Sequence, residues 1–188
     1  MLDDFNILKQ RDPGQTLEHA AELPESLNWQ PTIANGNHDA RPITAVVFAG
    51  MGGSALAADI VAHLLNRQQP IPFIVARDYE LPSFARENTL VIAVSHSGNT
   101  EETLSCYAEA RQRGCQIAIM ATGGKLLEYA ANDDIVNVAL PAGGQPRMAT
   151  LKHLKGLFAL LEHFKVVDSR YNEELVSIHS WLSEQTAN

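Results

Sequence analysis

Five short stretches of this sequence are apolar almost without interruption: Ile43–Ala49, Phe73–Arg77, Thr89–Val94, Ile117–Ala121 and Ile135–Leu140. A strand with one wet face alternates apolar and polar residues, so unbroken runs of this length describe strands buried on both faces. Between them lie Ser54–Asn66, Thr100–Arg113 and Leu126–Ala131, whose apolar residues recur at three and four spacing as crossover helices require. Strand and helix alternating in this order predict an α/β protein, a three-layer αβα sandwich around a five-stranded parallel sheet. In such sheets ligands bind beyond the carboxyl ends of the strands, so the loops that follow each run deserve the closest reading.

The flanks read differently. Residues 1–42 hold a helix-compatible run, Gln15–Leu27, and then a loop cluster of Pro31, Asn35, Gly36, Asn37 and Pro42. Residues 43–167 form the predicted domain. Its last element is a long helix, Arg147–Val167, with Leu151, Leu154, Leu157, Phe158, Leu161 and Phe164 on one stripe. Residues 168–188 form a polar tail with a short helix expected over Asn172–Leu182.

Composition removes several function classes. Fourteen Lys and Arg against 22 Asp and Glu give a net charge of −8, which disfavours nucleic acid and anionic lipid as partners. The densest positive cluster, Arg147, Lys152 and Lys155 on one predicted helix, reads as a solvated face plus one functional Arg. Cys106 and Cys115 have neither CxxC spacing nor a zinc-ligand pattern with His, so they read as reduced, buried residues and no metal is expected. The acidic start, Met1–Phe5, is the opposite of a signal peptide's basic region, and a cytoplasmic protein is expected. The most apolar stretch, Thr44–Leu65, contains Gly50, Gly52, Gly53, Asp59 and His63, which argues against a membrane span.

Three segments carry chemistry. Gly50-Met51-Gly52-Gly53-Ser54-Ala55 joins the first strand to a helix. Such a loop brings backbone N–H groups and the positive end of a helix dipole to an anion. It also fits G-x-G-x-x-A, and Asp78 follows the second strand where a ribose-binding acid would sit, so a dinucleotide remains an alternative from this loop. Ser95-His96-Ser97-Gly98-Asn99-Thr100 follows the third strand and forms a hydroxyl-rich nest suited to phosphate. Asn99 with Glu102 also matches a capping box. Glu101 and Glu102 suit the helix dipole but repel a phosphate unless they point away. The P-loop pattern is absent, since Gly123-Gly124-Lys125 lacks its upstream glycine and precedes Leu126. Finally, Gln145-Pro146-Arg147 opens the long helix with a cation against the dipole, which suits an oxyanion or phosphate contact better than a structural role.

Together, Gly50-Met51-Gly52-Gly53-Ser54, Ser95-His96-Ser97-Gly98-Asn99-Thr100-Glu101-Glu102-Thr103 and Pro146-Arg147-Met148-Ala149 resemble the sugar isomerase (SIS) domain. More closely, they are similar to the N-terminal half of the bifunctional phosphoglucose/phosphomannose isomerase family. The resemblance runs from about Val46 to Leu161 and implies the SIS-type, flavodoxin-like version of the predicted sandwich. It implies interconversion of glucose 6-phosphate or mannose 6-phosphate with fructose 6-phosphate, with no cofactor and no metal, in a homodimer. By the same resemblance Ser95, Ser97 and Thr100 bind the sugar phosphate. Gly52, Gly53 and Ser54 line the pocket, and Arg147 stabilises the enediolate. His96 lies inside the phosphate motif and could touch a ligand, whereas His153 and His163 read as packing or solvent-facing residues.

In that family the base glutamate and the ring-opening histidine lie in a second SIS domain. This sequence stops at Asn188 before a second run of strands, so half of the active site is expected to be missing and the chain alone to turn substrate over poorly. Glu101, Glu102, Glu128 and Asp78 read as solvated residues rather than replacements for the base. A phosphosugar-sensing SIS domain without catalysis is the second reading. An NAD-binding oxidoreductase domain is the third, opposed by the serine motif.

Overall fold

The computed structural model describes residues 5–14, 16–143 and 145–186. Gln15, the first residue of one predicted helix, and Gly144, in the turn before Pro146, lie outside them. The chain opens with helices α1 (Phe5–Arg11) and α2 (Thr16–Ala21), a 3-10 turn over Leu23–Leu27 and a two-residue strand, β1 (Ile33–Ala34). Then follow β2 (Ala45–Gly50), α3 (Gly52–Leu65), β3 (Phe73–Ala76), β4 (Thr89–Ser95), α4 (Glu101–Gln112), β5 (Gln116–Ala121), α5 (Gly124–Asn132) and β6 (Val136–Ala139). A second 3-10 turn, Pro146–Met148, leads to α6 (Thr150–His163), α7 (Arg170–Ser177) and α8 (His179–Thr186).

The strands form one sheet in the order β1-β6-β5-β4-β2-β3. The five predicted strands are all parallel, and β1 adds a sixth, antiparallel to β6, with Ile33 opposite Val138. A two-residue strand inside a Pro- and Asn-rich segment has no periodicity to betray it. It is pinned by Asn35, which adopts φ 51° and donates through Nδ2 to the Ala130 carbonyl at 2.8 Å.

Every residue of β2 and β4 is buried, as unbroken apolar runs require. The pleat divides them between two faces. Val46, Phe48, Leu90, Ile92, Val94 and Met120 pack with α3 and α6, while Val47, Ala49, Val91, Ala93, Ile119 and Ala121 face α4 and α5. Each Val, Leu, Ile, Phe or Met among them contributes roughly 1.5–3 kcal/mol by leaving water. Among the described residues no helix is long and apolar enough to cross a membrane.

The predicted helix Arg147–Val167 is divided. Pro146 fixes a 3-10 turn whose closing bonds run from Met148 N–H to the Gln145 carbonyl and from Ala149 N–H to the Pro146 carbonyl. Ala149, at φ −92° and ψ 10°, breaks the path before α6 begins. Arg147 therefore lies in the turn ahead of α6 and not in its first helical turn. The predicted C-terminal helix likewise divides into α7 and α8.

The amino-terminal segment packs onto this frame. Lys155, expected on a solvated face, is instead buried in α6, because its Nζ finds a partner by donating to the Leu27 carbonyl at 2.5 Å; Asn28 Nδ2 lies 3.2 Å from His179 Nε2 of α8.

Candidate functional site

Two helices begin beside each other at the centre of the sheet. Strand β2 delivers α3 through Met51, and β4 delivers α4 through the loop His96–Thr100. Neither start is capped: Met51 and Thr100 are extended N-cap residues whose side chains make no capping hydrogen bond. Ser54 N–H bonds back to the Met51 carbonyl at 3.1 Å; no capping side chain takes up the other first-turn N–H groups of the two helices, which face the cleft with the positive ends of two dipoles behind them.

The serine loop is held by its own hydroxyls. Ser95, buried, lies with its Oγ 2.8 Å from Thr100 Oγ1 and accepts the Gly98 N–H at 3.1 Å. Ser97 is exposed and accepts the Asn99 N–H at 3.2 Å. Ser54, buried in the first turn of α3, accepts the His96 N–H at 3.0 Å, which fastens the first glycine loop to the serine loop. The His96 carbonyl in turn accepts Thr122 N–H at 3.0 Å and Thr122 Oγ1–H at 2.6 Å.

Gly98 locks the loop against its neighbour. At φ +72° it occupies the left-handed region, and a Cβ there would lie 1.8 Å from the Gly123 carbonyl oxygen. Gly123 and Gly124 supply the surface that fits it. The capping box expected of Asn99 and Glu102 does not form. Asn99 instead reaches across, its Oδ1 accepting the Lys125 N–H in the first turn of α5 at 3.0 Å. Asn99 thus serves the start of α5, and Thr100, the N-cap residue of α4, directs its hydroxyl to Ser95.

The third segment meets the first at Gly53. A Cβ on Gly53 would lie 3.0–3.1 Å from the backbone of Pro146 and Arg147, so the turn seats on α3 more closely than a side chain there would allow without a small shift. Thr150 Oγ1 donates to the Arg147 carbonyl at 3.2 Å and ties the turn to α6. The Arg147 side chain is exposed and makes no hydrogen bond or ion pair among the described residues. Gly52, Gly53, Ser54, Ser95, Ser97, Thr100 and Arg147 are thereby brought to one end of the sheet.

The acidic residues stand apart from this arrangement. Tyr79 Oη donates to Glu101 Oε2 at 3.4 Å and turns that carboxylate toward the end of β3. The nearby Glu102 charge, with burial and Glu101 behind it, pushes the Tyr79 phenol up, so it stays a neutral donor. Asp78 Oδ1 accepts the Tyr79 N–H at 2.7 Å, and its carbonyl receives the Cys106 thiol. Glu128 is exposed on α5. Burial pushes the Cys106 thiol up to about 11, so it stays protonated and unreactive. Among the described residues no group of three His, Cys, Asp or Glu could hold a metal.

His153, expected to pack or to face solvent, packs, and the neighbour it packs against was not legible in advance. His153 is fully buried in the first turn of α6, its ring centre 5.6 Å from that of His96, and its Nδ1 lies 2.8 Å from the Ala149 carbonyl. The pleat supplies the missed signal: Leu90, Ile92 and Val94 face α6, so His96 continues that row. Burial, with the neighbouring His96 adding to it, pushes the His153 imidazole down to about 4, so it is neutral at physiological pH.

The geometry has parallels. Residues 42–149 match the model of the SIS domain family. A bifunctional phosphoglucose/phosphomannose isomerase of Caldicellulosiruptor bescii is 40% identical over 174 residues, covering 89% of this chain and 51% of that protein. One from Thermoplasma acidophilum is 38% identical over 133 residues, 70% of this chain and 41% of the relative. The chain thus spans about half the length of the curated relatives it matches. The solved tagatose-6-phosphate ketose/aldose isomerase of Escherichia coli superposes with a TM-score of 0.59 at 17% identity, over 89% of this chain and 52% of its own.

Gly98→Ala should lower stability by about 2–4 kcal/mol, from left-handed strain and the clash with Gly123 together; the urea midpoint reads this directly. His153 sets a second expectation. The unfolded chain takes a proton there near the ordinary 6.5, the folded chain only near 4. Its contribution is therefore complete above about pH 6.5 and is lost as pH falls toward 4, on the order of 3 kcal/mol in all. In His153→Gln this part of the slope in stability against pH should flatten.

Proposed function

This chain belongs to the SIS domain family, and we propose that it is the phosphosugar-binding half of an aldose–ketose isomerase that interconverts glucose 6-phosphate or mannose 6-phosphate with fructose 6-phosphate. The observation that carries the reading is the convergence of two uncapped helix starts, the Ser95–Thr100 hydroxyls and the unengaged Arg147 at one end of the sheet. Two dipoles and a row of hydroxyls suit a phosphate dianion without a lysine or a metal. The names of the relatives at 38–40% identity supply the substrate class and the reaction.

In this reading Ser95, Ser97 and Thr100 hold the phosphate, with Gly52, Gly53 and Ser54 lining the same pocket. Isomerisation moves a proton between C1 and C2 of the opened sugar through an enediolate. Negative charge develops on the sugar oxygens only as that species forms. A guanidinium already in place then stabilises the transition state more than the substrate, which is the role we give Arg147. The base that carries the proton is left unassigned, since Asp78 and Glu101 are engaged elsewhere. The protein acts in the cytoplasm, which its two free, buried cysteines suit.

The test follows thermal unfolding with fructose 6-phosphate, with fructose and with NAD at matched ionic strength. Fructose 6-phosphate at about 100 times its dissociation constant should add roughly 2.7 kcal/mol. At about 2–4 °C per kcal/mol, this raises the midpoint by several degrees. Fructose and NAD should leave it unmoved, and Ser97→Ala should abolish the shift. A response to NAD alone would instead assign the site to a dinucleotide. We also place a homodimer contact on α3, whose outer face exposes Leu56 and Ile60 at 47% and 44%. Sedimentation should show a dimer at high micromolar concentration, and a clean monomer there would remove that contact.

A further inference from the structure

The two imidazoles behind the serine loop have a chemistry of their own. A neutral His153 that donates Nδ1–H to the Ala149 carbonyl keeps its lone pair on Nε2. That nitrogen is shielded from solvent and meets no hydrogen-bond partner among the described residues. A buried acceptor of this kind costs on the order of 1–3 kcal/mol if it stays unmade, so a donor belongs beside it. The ring against it is His96, whose Nδ1 is equally shielded, at 5.6 Å between centres. Two imidazoles joined edge to edge by an N–H···N hydrogen bond have centres roughly 5 Å apart, and one bridging water spans slightly more. No charged side chain is required, because His153 has only to accept.

We propose that His153 is a positioning residue for the phosphosugar site: its Nε2 accepts a hydrogen bond from Nδ1–H of His96, directly or through one water, and so fixes the tautomer in which Nε2 of His96 meets a hydroxyl of the bound sugar. The ligand in this proposal rests on the phosphosugar reading above. The pair itself does not. An imidazole in water favours the proton on Nε2, so a His96 held with its proton on Nδ1 carries a signature that packing alone would not produce.

Nitrogen-15 NMR of the histidine rings in the unliganded chain reads that signature. His96 should be protonated on Nδ1, and should revert to Nε2 in His153→Phe, which keeps an aromatic ring but offers no acceptor. Calorimetry with fructose 6-phosphate gives the second arm. Affinity should fall about tenfold in His153→Phe, as expected for one hydrogen bond. In His153→Gln, whose amide donates to Ala149 and whose oxygen accepts from His96, both tautomer and affinity should return. A His96 protonated on Nε2 in the parent chain overturns the proposal, as does a Gln variant as weak as Phe. A Phe variant that binds like the parent chain overturns the ligand contact. If the tautomer is as expected and no variant, parent included, binds fructose 6-phosphate, the phosphosugar reading fails and the histidine pair stands.

Discussion

The backbone after β4 runs so close to the backbone after β5 that Gly98 has no room for a methyl group beside the Gly123 carbonyl. Much of the site depends on this contact. Because the two loops touch, Asn99 reaches the first turn of α5, while Thr100, the N-cap residue of α4, turns its hydroxyl to Ser95 and leaves α4 without a side-chain cap. A helix start left open costs stability unless water or a ligand satisfies it. The cost is concentrated where an anion would recover it, which is the usual signature of a binding site and not of a turn optimised for stability.

The same logic reconciles an acidic protein with the anion site proposed for it. A net charge of −8 sets an unfavourable long-range field, yet the cleft is governed by groups within a few ångströms. There the peptide dipoles of α3 and α4 supply positive potential with no formal charge. Of the two carboxylates in the first turn of α4, Glu101 is drawn aside by Tyr79. Sequence alone leaves the direction of that carboxylate open, because it is decided by a residue twenty-two positions earlier at the end of a different strand.

What could be read in advance follows a physical division. Strands β2 and β4 were plain because burial on both faces leaves an unbroken apolar record, and the glycine and serine loops because a strand end followed by a helix start needs particular residues. Strand β1 is too short to have a period, and the break at Ala149 is a matter of two backbone angles in a residue that favours helix. Asn99 carried a local pattern, the capping box, that a contact between loops overrode. His153 looked like packing since its partner lies 57 residues away, and only the parity of β4 continued to His96 points toward it. Local rules were sufficient where the chain answers to itself, and failed where two distant segments answer to each other.

Lys155 has a consequence for how the molecule is assembled. Its contact with the Leu27 carbonyl closes a span of 128 residues. During synthesis the amino-terminal segment emerges first, but its docking partner leaves the ribosome only after the whole parallel sheet has been made. Until then the Leu27 carbonyl and the Lys155 amine remain hydrated, and the wide loop between them carries its full closure entropy. The segment at Leu27 thus takes its place only after the sheet it packs beside has been made.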